Sequence, residues 1–319
     1  VQTGRVWVPR SDFRSLAPFL QSNLALADGV VRVAGGLRYE NVQLSVDDFQ
    51  TLASYGSVQV EGGSPSFNDL LWNAGVIVEP VDGLRAYGSY AEGFTIADVG
   101  RILRGITQTG VDVDDFLSLE PVVSNNRELG LEWNRGPLKA SASYFWSSSD
   151  FGSLLVLRND VFEVERQPIE IEGFEASLDW QTPLPGLSLS GGYADLSGRT
   201  DSDDDGLVDD DLDGANISPD RINLAADYSS GAFSTRVQAR FYLPREFNDL
   251  ATVTDFEGYT LLDAFISYRT DIGEFALAAQ NLTDEFYVTY DSDTVRVTDN
   301  SRFFAGRGRS FTLSWRGAF

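Results

Sequence analysis

The sequence predicts an all-β fold, a transmembrane antiparallel up-and-down β-barrel of which about 13–14 strands are present. Three observations support this prediction. Apolar and polar residues alternate along most of the chain, aromatic residues lie near the ends of the alternating segments, and the connections alternate between short and long. Alternation with a period of two is typical of strands that carry one apolar and one polar face.

The alternation is clearest in the middle of the chain. Residues 137–149 carry an apolar face made of Leu138, Ala140, Ala142, Tyr144 and Trp146, opposite a face of lysine and serine. The same pattern recurs in residues 174–180, 222–228, 262–268 and 311–315. We predict thirteen strands, at residues 12–26, 29–45, 67–80, 83–94, 122–134, 137–149, 169–181, 186–197, 219–228, 232–243, 259–269, 273–287 and 308–319.

Strand length and aromatic placement indicate that the apolar faces contact lipid rather than a protein core. Many of the segments are longer than the usual strand of about 5–6 residues and suit a tilted bilayer crossing. Aromatic residues occupy both ends of the apolar faces: Trp133, Trp180, Tyr228 and Tyr268 at one end, and Trp146, Tyr193 and Phe241 at the other. Two aromatic rows that flank an aliphatic band are typical of outer-membrane barrels. A soluble β-sandwich, the alternative, would scatter its aromatic residues through the core.

The connections alternate strictly in length. The short ones lie near residues 27–28, 81–82, 135–136, 182–185, 229–231 and 270–272, and several carry an Asp-Gly or Ser-Gly pair. The long ones lie near residues 46–66, 95–121, 150–168, 198–218, 244–258 and 288–307. Bacterial barrels have short periplasmic turns and long exterior loops. With Phe319 at the periplasmic rim, all six long connections fall outside.

Thirteen is an odd number, whereas single-chain bacterial barrels have an even number of strands and begin in the periplasm. Either residues 5–10 belong to a fourteenth strand, or strands that precede the sequence are missing. We favour missing strands because of the resemblance described below.

Composition excludes several classes of function. The 319 residues contain 48 acidic and 24 basic side chains, which give a formal net charge of −24, and they contain no Cys and no His. Cysteine nucleophiles, disulfides and histidine-based catalytic triads or zinc sites are therefore excluded. The acidic balance argues against a nucleic-acid partner. We expect neither an enzyme nor a DNA- or RNA-binding protein.

Several segments resemble TonB-dependent outer-membrane receptors. They are Gly36-Leu37-Arg38-Tyr39-Glu40, Ser89-Tyr90-Ala91-Glu92-Gly93-Phe94, Asn281-Leu282-Thr283-Asp284-Glu285-Phe286-Tyr287, and the closing run from Gly306 to the terminal Phe319. Their order and spacing, together with the C-terminal aromatic residue, extend the resemblance over residues 36–319. The resemblance to the ferric-siderophore receptors within that family lies in residues 93–123, from Gly93 through Asp98-Val99-Gly100-Arg101 to Pro121-Val122-Val123, and in residues 214–221.

The resemblance implies a barrel of 22 strands that is closed by an N-terminal plug carrying a TonB-contacting segment. It implies that residues 1–319 form the C-terminal part of such a barrel, without the plug and the early strands. The expected function is then outer-membrane reception and transport of a ferric siderophore, energised through the TonB complex. The barrel-assembly machinery, which would bind the strand ending at Phe319, and outer-membrane lipids are the other expected partners. Haem is a less favoured ligand because such receptors usually bind haem iron through His.

Three alternatives remain open at this point. The chain could be a stand-alone passive pore of 14 strands, a receptor of the same family for another ligand such as cobalamin, or an adhesive barrel whose acidic loops bind calcium and surface polysaccharide.

Arginine and tyrosine side chains are the candidate ligand contacts. Arg236 and Arg240 fall on the polar, inward face of one strand, where guanidinium groups can attract anionic ferric chelates. They can equally pair with Asp227, Glu175 or Asp179 within the wall. The remaining candidates lie in two long connections and are Arg101, Arg104, Tyr290, Arg296 and Arg302.

An acidic run in the connection after residue 197 resembles a calcium-binding loop. Carboxylates at Asp201, Asp203, Asp205 and Asp209, with Gly206 between them, match the ligand spacing of an EF-hand loop. The twelfth position is Leu212 instead of Glu, so Asp211 or Asp213 would have to substitute. No other cofactor is expected. A solvated acidic loop without metal is the alternative.

Overall fold

The computed structural model describes residues 7–95, 99–116, 122–158, 161–203, 205–248, 254–294 and 304–317. Strands dominate the described residues, as the alternation predicts. Their bounds are β1 Ser11–Leu16, β2 Phe19–Leu26, β3 Val31–Val46, β4 Phe49–Gln50, β5 Gln59–Val60, β6 Ser66–Val81, β7 Leu84–Thr95, β8 Val122–Arg135, β9 Leu138–Arg158, β10 Val161–Gln181, β11 Leu187–Thr200, β12 Asp210–Asp211, β13 Arg221–Ser230, β14 Phe233–Tyr242, β15 Tyr259–Thr270, β16 Gly273–Gln280 and β17 Ser310–Arg316.

Within the described residues, three short α-helices accompany the strands: α1 Val99–Arg104, α2 Val113–Phe116 and α3 Tyr290–Thr294. Within the described parts of the chain, no helix has the length and apolar character that crossing a membrane requires.

The main sheet is an antiparallel meander in which each long strand pairs with the next one along the chain. β1 and β2 both pair with β3, because Ala17 and Pro18 interrupt a single strand. Proline has no N–H to donate to a ladder, but its carbonyl still accepts from the Tyr39 amide at 3.0 Å. When β1 and β2 count as one interrupted strand, the wall has the thirteen strands that the sequence predicts. Among the described residues no ladder joins β17 to β1 or β2.

Two predicted boundaries are wrong. The expected long connection at residues 150–168 is mostly strand, because β9 and β10 remain paired as far as Arg158 and Val161. Proline usually ends a strand, but the pairing of β9 with β10 continues past Pro168, with a register shift between Gln167 and Ile169. The predicted strand 273–287 ends early, at Gln280, because Asn281 adopts a left-handed backbone with a φ of 50° and starts a turn.

The apolar face of the wall is uncovered. Large side chains at alternate positions of neighbouring strands are exposed, for example Leu129 at 58%, Leu131 at 52% and Leu178 at 44%. Their cross-strand partners, such as Ala142 beside Leu131, are small or apolar and lie on the same face. A two-sheet sandwich would have buried these side chains, so their exposure argues against that alternative and supports the prediction of a lipid-facing surface.

The main apolar cluster of the described residues lies at the rim of the wall that carries the long connections. We call it the rim core. It contains Val42, Leu44, Val46, Phe49, Val58, Val60, Phe67, Leu103, Ile106 and Val113. The Val113 amide donates to the Glu61 carbonyl at 3.0 Å, which ties two connections together. Residues 46–66 and 99–113, predicted only as long polar connections, therefore fold against each other.

Candidate functional site

The inward face of β13–β15 carries the two arginines predicted as ligand contacts. Arg236 lies opposite Asp227 in the ladder, and its Nη1 donates to both carboxylate oxygens, at 2.9 and 3.1 Å. Its Nε donates to Gln238 at 3.2 Å. The pairing of Arg236 with Asp227 within the wall, which the sequence leaves open, is therefore observed.

Arg240 forms the second pair of this face, with a partner that the sequence does not indicate. Its Nη2 donates to Oδ2 of Asp263 at 2.9 Å, and Asp263 is only 1% exposed. The same Asp263 accepts from the Gln238 side chain at 3.0 Å and from the Asn281 backbone N–H at 2.9 Å. The Nε of Arg240 is shielded from solvent and has no hydrogen-bond partner among the described residues. One buried carboxylate thus holds together β14, β15 and the turn after β16.

Aromatic rings continue the inward face beyond Arg240, toward the long connections. Tyr242 and Tyr259 face each other across β14 and β15, with ring centroids 4.4 Å apart, and Tyr287 lies 4.4 Å from Tyr259. Phe256 packs edge-on against Tyr259, at 5.8 Å. Together with Phe247 and Tyr290, these residues form what we call the aromatic cluster.

Tyr290 is a structural member of this cluster. It begins α3, is 6% exposed, and packs edge-on against Phe256 at 4.9 Å. Burial raises the pKa of its hydroxyl, and Arg245 opposes that shift. Arg245 donates to the Tyr290 hydroxyl at 3.3 Å and to Asp220 at 2.7 Å. Tyr290 therefore positions the cluster instead of offering a free surface to a ligand.

Among the other candidate arginines, Arg104 is the one whose side chain the structure describes, and it does not lie on this face. Arg104 lies at the end of α1, with its guanidinium carbon 4.2 Å from the ring centroid of Trp7, a cation–π geometry. Arg101 belongs to the same helix, and its side chain lies outside the described set. Arg296 and Arg302 lie outside the described residues.

Three of the predicted calcium ligands come together. Asp201, Asp203 and Asp205 each offer a carboxylate oxygen within 4.8 Å of the others. Asp201 is buried, and its two oxygens accept from the backbone N–H groups of Asp205 and Gly206, at 3.1 and 3.0 Å. A backbone hydrogen bond from Asp205 lowers the pKa of Asp203, but desolvation and the neighbouring carboxylates outweigh it, so that this pKa lies above its usual value.

The other three predicted ligands do not join the cluster, which is limited to the first three aspartates in the part of this connection that the structure describes. Asn248 pairs with the Asp211 backbone N–H and side chain at 3.0 and 2.8 Å, and it donates to the Asp209 carbonyl at 2.8 Å. Asp213 accepts from the Ala215 backbone at 3.0 Å. Burial raises the pKa of Asp213, although its hydrogen bonds oppose that shift. Leu212 packs with Ile217 in a small apolar cluster.

The fold now permits comparison with known proteins. Residues 2–282 match the family model described as TonB dependent receptor-like, beta-barrel. The chain belongs to this family. Its barrels are outer-membrane receptors and not enzymes, which confirms the predicted family, location and non-enzymatic class.

The similar curated proteins are receptors. The ferric aerobactin receptor of Klebsiella pneumoniae is 25% identical, over 98% of this chain and 45% of its own length. The hemin receptor of Yersinia pestis is 22% identical, over 82% of this chain and 38% of its own length. The chain thus spans less than half the length of these curated relatives.

Solved structures show the same fold at low identity. The copper transporter OprC has a TM-score of 0.77 at 17% identity, over 94% of this chain and 47% of that one. The ferric yersiniabactin uptake receptor FyuA from Yersinia pestis has a TM-score of 0.73 at 17% identity, over 95% of this chain and 45% of that one.

Sequence reasoning missed the aromatic cluster and Asp263. A signal for the cluster was present, since Tyr242 and Tyr259 fall on the polar face by strict alternation, where an aromatic residue interrupts the pattern. The role of Asp263 depends on the register of β14 against β15, and no local pattern encodes that register.

Proposed function

We propose that this chain forms part of an outer-membrane receptor that takes up a ferric siderophore, with uptake energised through TonB. The observation that carries the proposal is the inward face of β13–β15, where Arg236 and Arg240 lie below the aromatic cluster. The receptors for ferric aerobactin and ferric pyoverdine among the similar proteins support the same class of cargo.

The chemistry of this face suits a metal chelate. Each arginine has five N–H donors and uses only part of them on its aspartate, so that further donors can turn toward the lumen. Because the charges are paired, the face offers directional hydrogen bonds more than net positive charge. The rings of Tyr259 and Tyr287 add flat, polarisable surface with hydroxyl groups at their edges. The sequence contains no His, so haem iron could not be bound here through imidazole.

Uptake of iron in a strain that lacks the gene tests the proposal. Restoring the full gene should restore uptake of labelled iron from at least one ferric siderophore in a panel of hydroxamates, catecholates and carboxylates. Tyr259→Ala or Tyr287→Ala should weaken uptake at low ligand concentration, whereas Tyr228→Ala, on the lipid-facing side near a short turn, should not. No uptake from any chelate, or equal effects of all three changes, would contradict the proposal.

Energy dependence separates the receptor from the passive pore. A receptor of this family should lose uptake when TonB is deleted or when a protonophore collapses the membrane potential. Uptake that continues under both conditions would favour the pore, and energised uptake of cobalamin alone would favour the other receptor alternative.

Further partners belong to the same proposal. A plug that precedes this part of the barrel would contact TonB, and residues 1–319 would be the C-terminal part of the wall.

Three apolar residues alternate on the exposed face of β17, as expected of a strand that inserts into lipid: Phe311, Leu313 and Trp315. Phe319 lies outside the described residues, and its recognition by the barrel-assembly machinery is part of this proposal. Phe319→Ala should lower the amount of heat-modifiable, assembled barrel.

Calcium binding by the acidic connection stays a prediction.

A further inference from the structure

The outward face of β8–β11 carries polar residues directly beyond its apolar band. Arg127 lies opposite Trp146, Trp146 opposite Glu172, and Glu170 opposite Arg199, so that the register places all of them on one face. Leu129 and Leu131 follow Arg127 at alternate positions of β8 and are exposed on the same side. This face points away from the lumen through which cargo would pass.

The height of Arg127 follows from a second arginine of the same strand. Arg127 and Arg135 occupy the same face of β8, with Leu129, Leu131 and Trp133 between them. From residue 127 to residue 135 the strand rises about 27 Å, or about 20 Å along the membrane normal at a tilt of about 40°. Because the outward apolar band of such barrels is about 25 Å tall, the two arginines lie near its two boundaries. Arg135 adjoins a short turn, so Arg127 lies at the outer-leaflet boundary.

A groove of about 490 Å³ opens on this face at the level of Arg127. It is lined by Arg127, Tyr144, Trp146, Glu170, Glu172 and Arg199, together with neighbouring serines. The guanidinium carbon of Arg127 lies 5.9 Å from the Tyr90 ring centroid and 6.0 Å from that of Trp146. Neither Arg127 nor Arg199 forms an ion pair with a carboxylate of the described residues. Glu172 instead accepts a short hydrogen bond from the Tyr144 hydroxyl.

The groove is close to neutral in charge, whereas the molecule as a whole is strongly acidic. The chain as a whole has a formal charge of −24, which repels anions. The two arginines balance Glu170 and Glu172 in the groove, and both guanidinium groups keep their donors available for an oxyanion, with which arginine forms bidentate bonds. Aromatic rings lie at the lipid boundary, where one edge is apolar and the other is wet.

We propose that this groove binds the phosphorylated sugar head group of an outer-leaflet glycolipid. Arg127 and Arg199 bind the phosphate, the serine hydroxyls face the sugar, and the acyl chains follow the apolar wall past Tyr144 and Phe174. The continuity of the groove with the lipid-facing band favours a lipid over a soluble anion, because a free phosphate would gain nothing from that wall. The site is independent of the cargo, so siderophore uptake and glycolipid binding can fail separately.

The test measures the glycolipid that co-purifies with the receptor from outer membranes. Native mass spectrometry should find phosphorylated glycolipid on the wild type. Because a hydrogen bond to a charged group contributes enough for about a tenfold change in affinity, Arg127→Gln and Arg199→Gln should each lower occupancy about tenfold in titrations with purified glycolipid. Arg135→Gln, on the same face of the same strand at the other boundary, should leave occupancy unchanged.

Further experiments distinguish a phosphate carried by a glycolipid from free inorganic phosphate. Glycolipid from which the phosphate has been removed should bind about tenfold more weakly, and inorganic phosphate at the same concentration should not displace the intact lipid. Arg127→Lys, which keeps the charge, should retain part of the binding, and heat-modifiable gel mobility confirms that each variant is assembled. Equal binding by either glutamine variant, equal loss in Arg135→Gln, or displacement by inorganic phosphate would overturn the proposal.

Discussion

Two exterior regions of this protein are held in place by opposite chemistry. The rim core brings residues 46–66 and 99–113 together around ten buried apolar side chains. The acidic connection, residues 201–217, is organised by aspartate carboxylates that accept hydrogen bonds from backbone N–H groups, and its buried apolar side chains among the described residues are Leu212 and Ile217. All three connections are predicted to be long and polar, so the average polarity of a loop does not show which contacts hold it in place.

The difference predicts different sensitivities. Burial of apolar area depends little on pH or ions near room temperature. Carboxylates held close together repel one another, and that repulsion depends on protons, salt and bound cations. The rim core should therefore be a fixed part of the exterior surface, whereas the acidic connection should respond to its surroundings.

The largest expected effect comes from opening the rim core. Leu103 is fully buried, and Leu103→Ala should destabilise the local fold by about 2–5 kcal/mol through lost burial and a cavity. Hydrogen exchange at the amides of Thr51 and Val113, which bond to the carbonyls of Val58 and Glu61, would measure it. The matched change Leu207→Ala, in the acidic connection at a residue 57% exposed, should cost less than about 0.5 kcal/mol. Similar losses of stability for Leu103→Ala and Leu207→Ala would contradict the proposed difference between the rim core and the acidic connection.

Calcium should act on the acidic connection alone. If Asp201, Asp203 and Asp205 bind the ion, millimolar calcium should protect residues 201–217 from proteolysis and should not change the rim core. Asp201→Asn should weaken calcium binding at least about tenfold, because it removes one of three charged oxygen ligands. Asp271→Asn, in a short turn of the opposite rim, serves as the control. A calorimetric titration that shows no heat of binding at millimolar calcium would end this prediction.

Acidification should strengthen the acidic connection when calcium is absent. The pKa values of Asp203 and Asp213 are raised in the folded state. Their ionised forms therefore disfavour the fold above those raised values, and the penalty disappears as pH falls toward the unfolded value of 3.8. Proteolysis of residues 201–217 by an acid-tolerant protease should slow between pH 7 and about pH 4, after correction for the activity of the protease on an unfolded substrate. Faster cleavage at low pH, with the rim core intact, would show that the carboxylates hold the loop only when ionised.

The smallest effect should come from the contact that joins the acidic connection to Asn248, in the long connection after β14. Asn248→Ala removes the side-chain bonds to the Asp211 amide and the Asp209 carbonyl. We expect a loss of about 1 kcal/mol, because exposed hydrogen bonds are partly replaced by water. Faster exchange at the Asp211 amide with no change at Thr51 would confirm it, and faster exchange at both would indicate that the two regions are coupled.

The sequence predicted the wall well because alternation is a local property. All thirteen strands, the short turns and the lipid-facing side follow from residues such as Leu129, Leu131 and Trp133, whose period is visible without a structure. Local signals failed at Pro168, where the ladder tolerates a residue that usually ends one, and in the rim core, whose apolar residues come from segments that are far apart in the sequence.

The candidate site was less predictable because its contacts join distant parts of the chain. Arg236 and Arg240 were assigned to the correct face, but their partners depend on register. Tyr290 was chosen as a candidate ligand contact because it lies in a long connection, and the structure buries it between Phe256 and Arg245, which are distant in the sequence. The acidic run was recognised by its spacing, and three of the six aspartates predicted as calcium ligands converge.

The shared use of Asp263 has a mechanical consequence. Its carboxylate connects β14, β15 and the residue at which β16 has ended. A load applied to one of these strands is therefore distributed over all three, and the sheet resists peeling one strand at a time. If force transmitted from the inner membrane moves a plug or a ligand through the lumen, β14, β15 and the end of β16 should keep their relative positions during that movement.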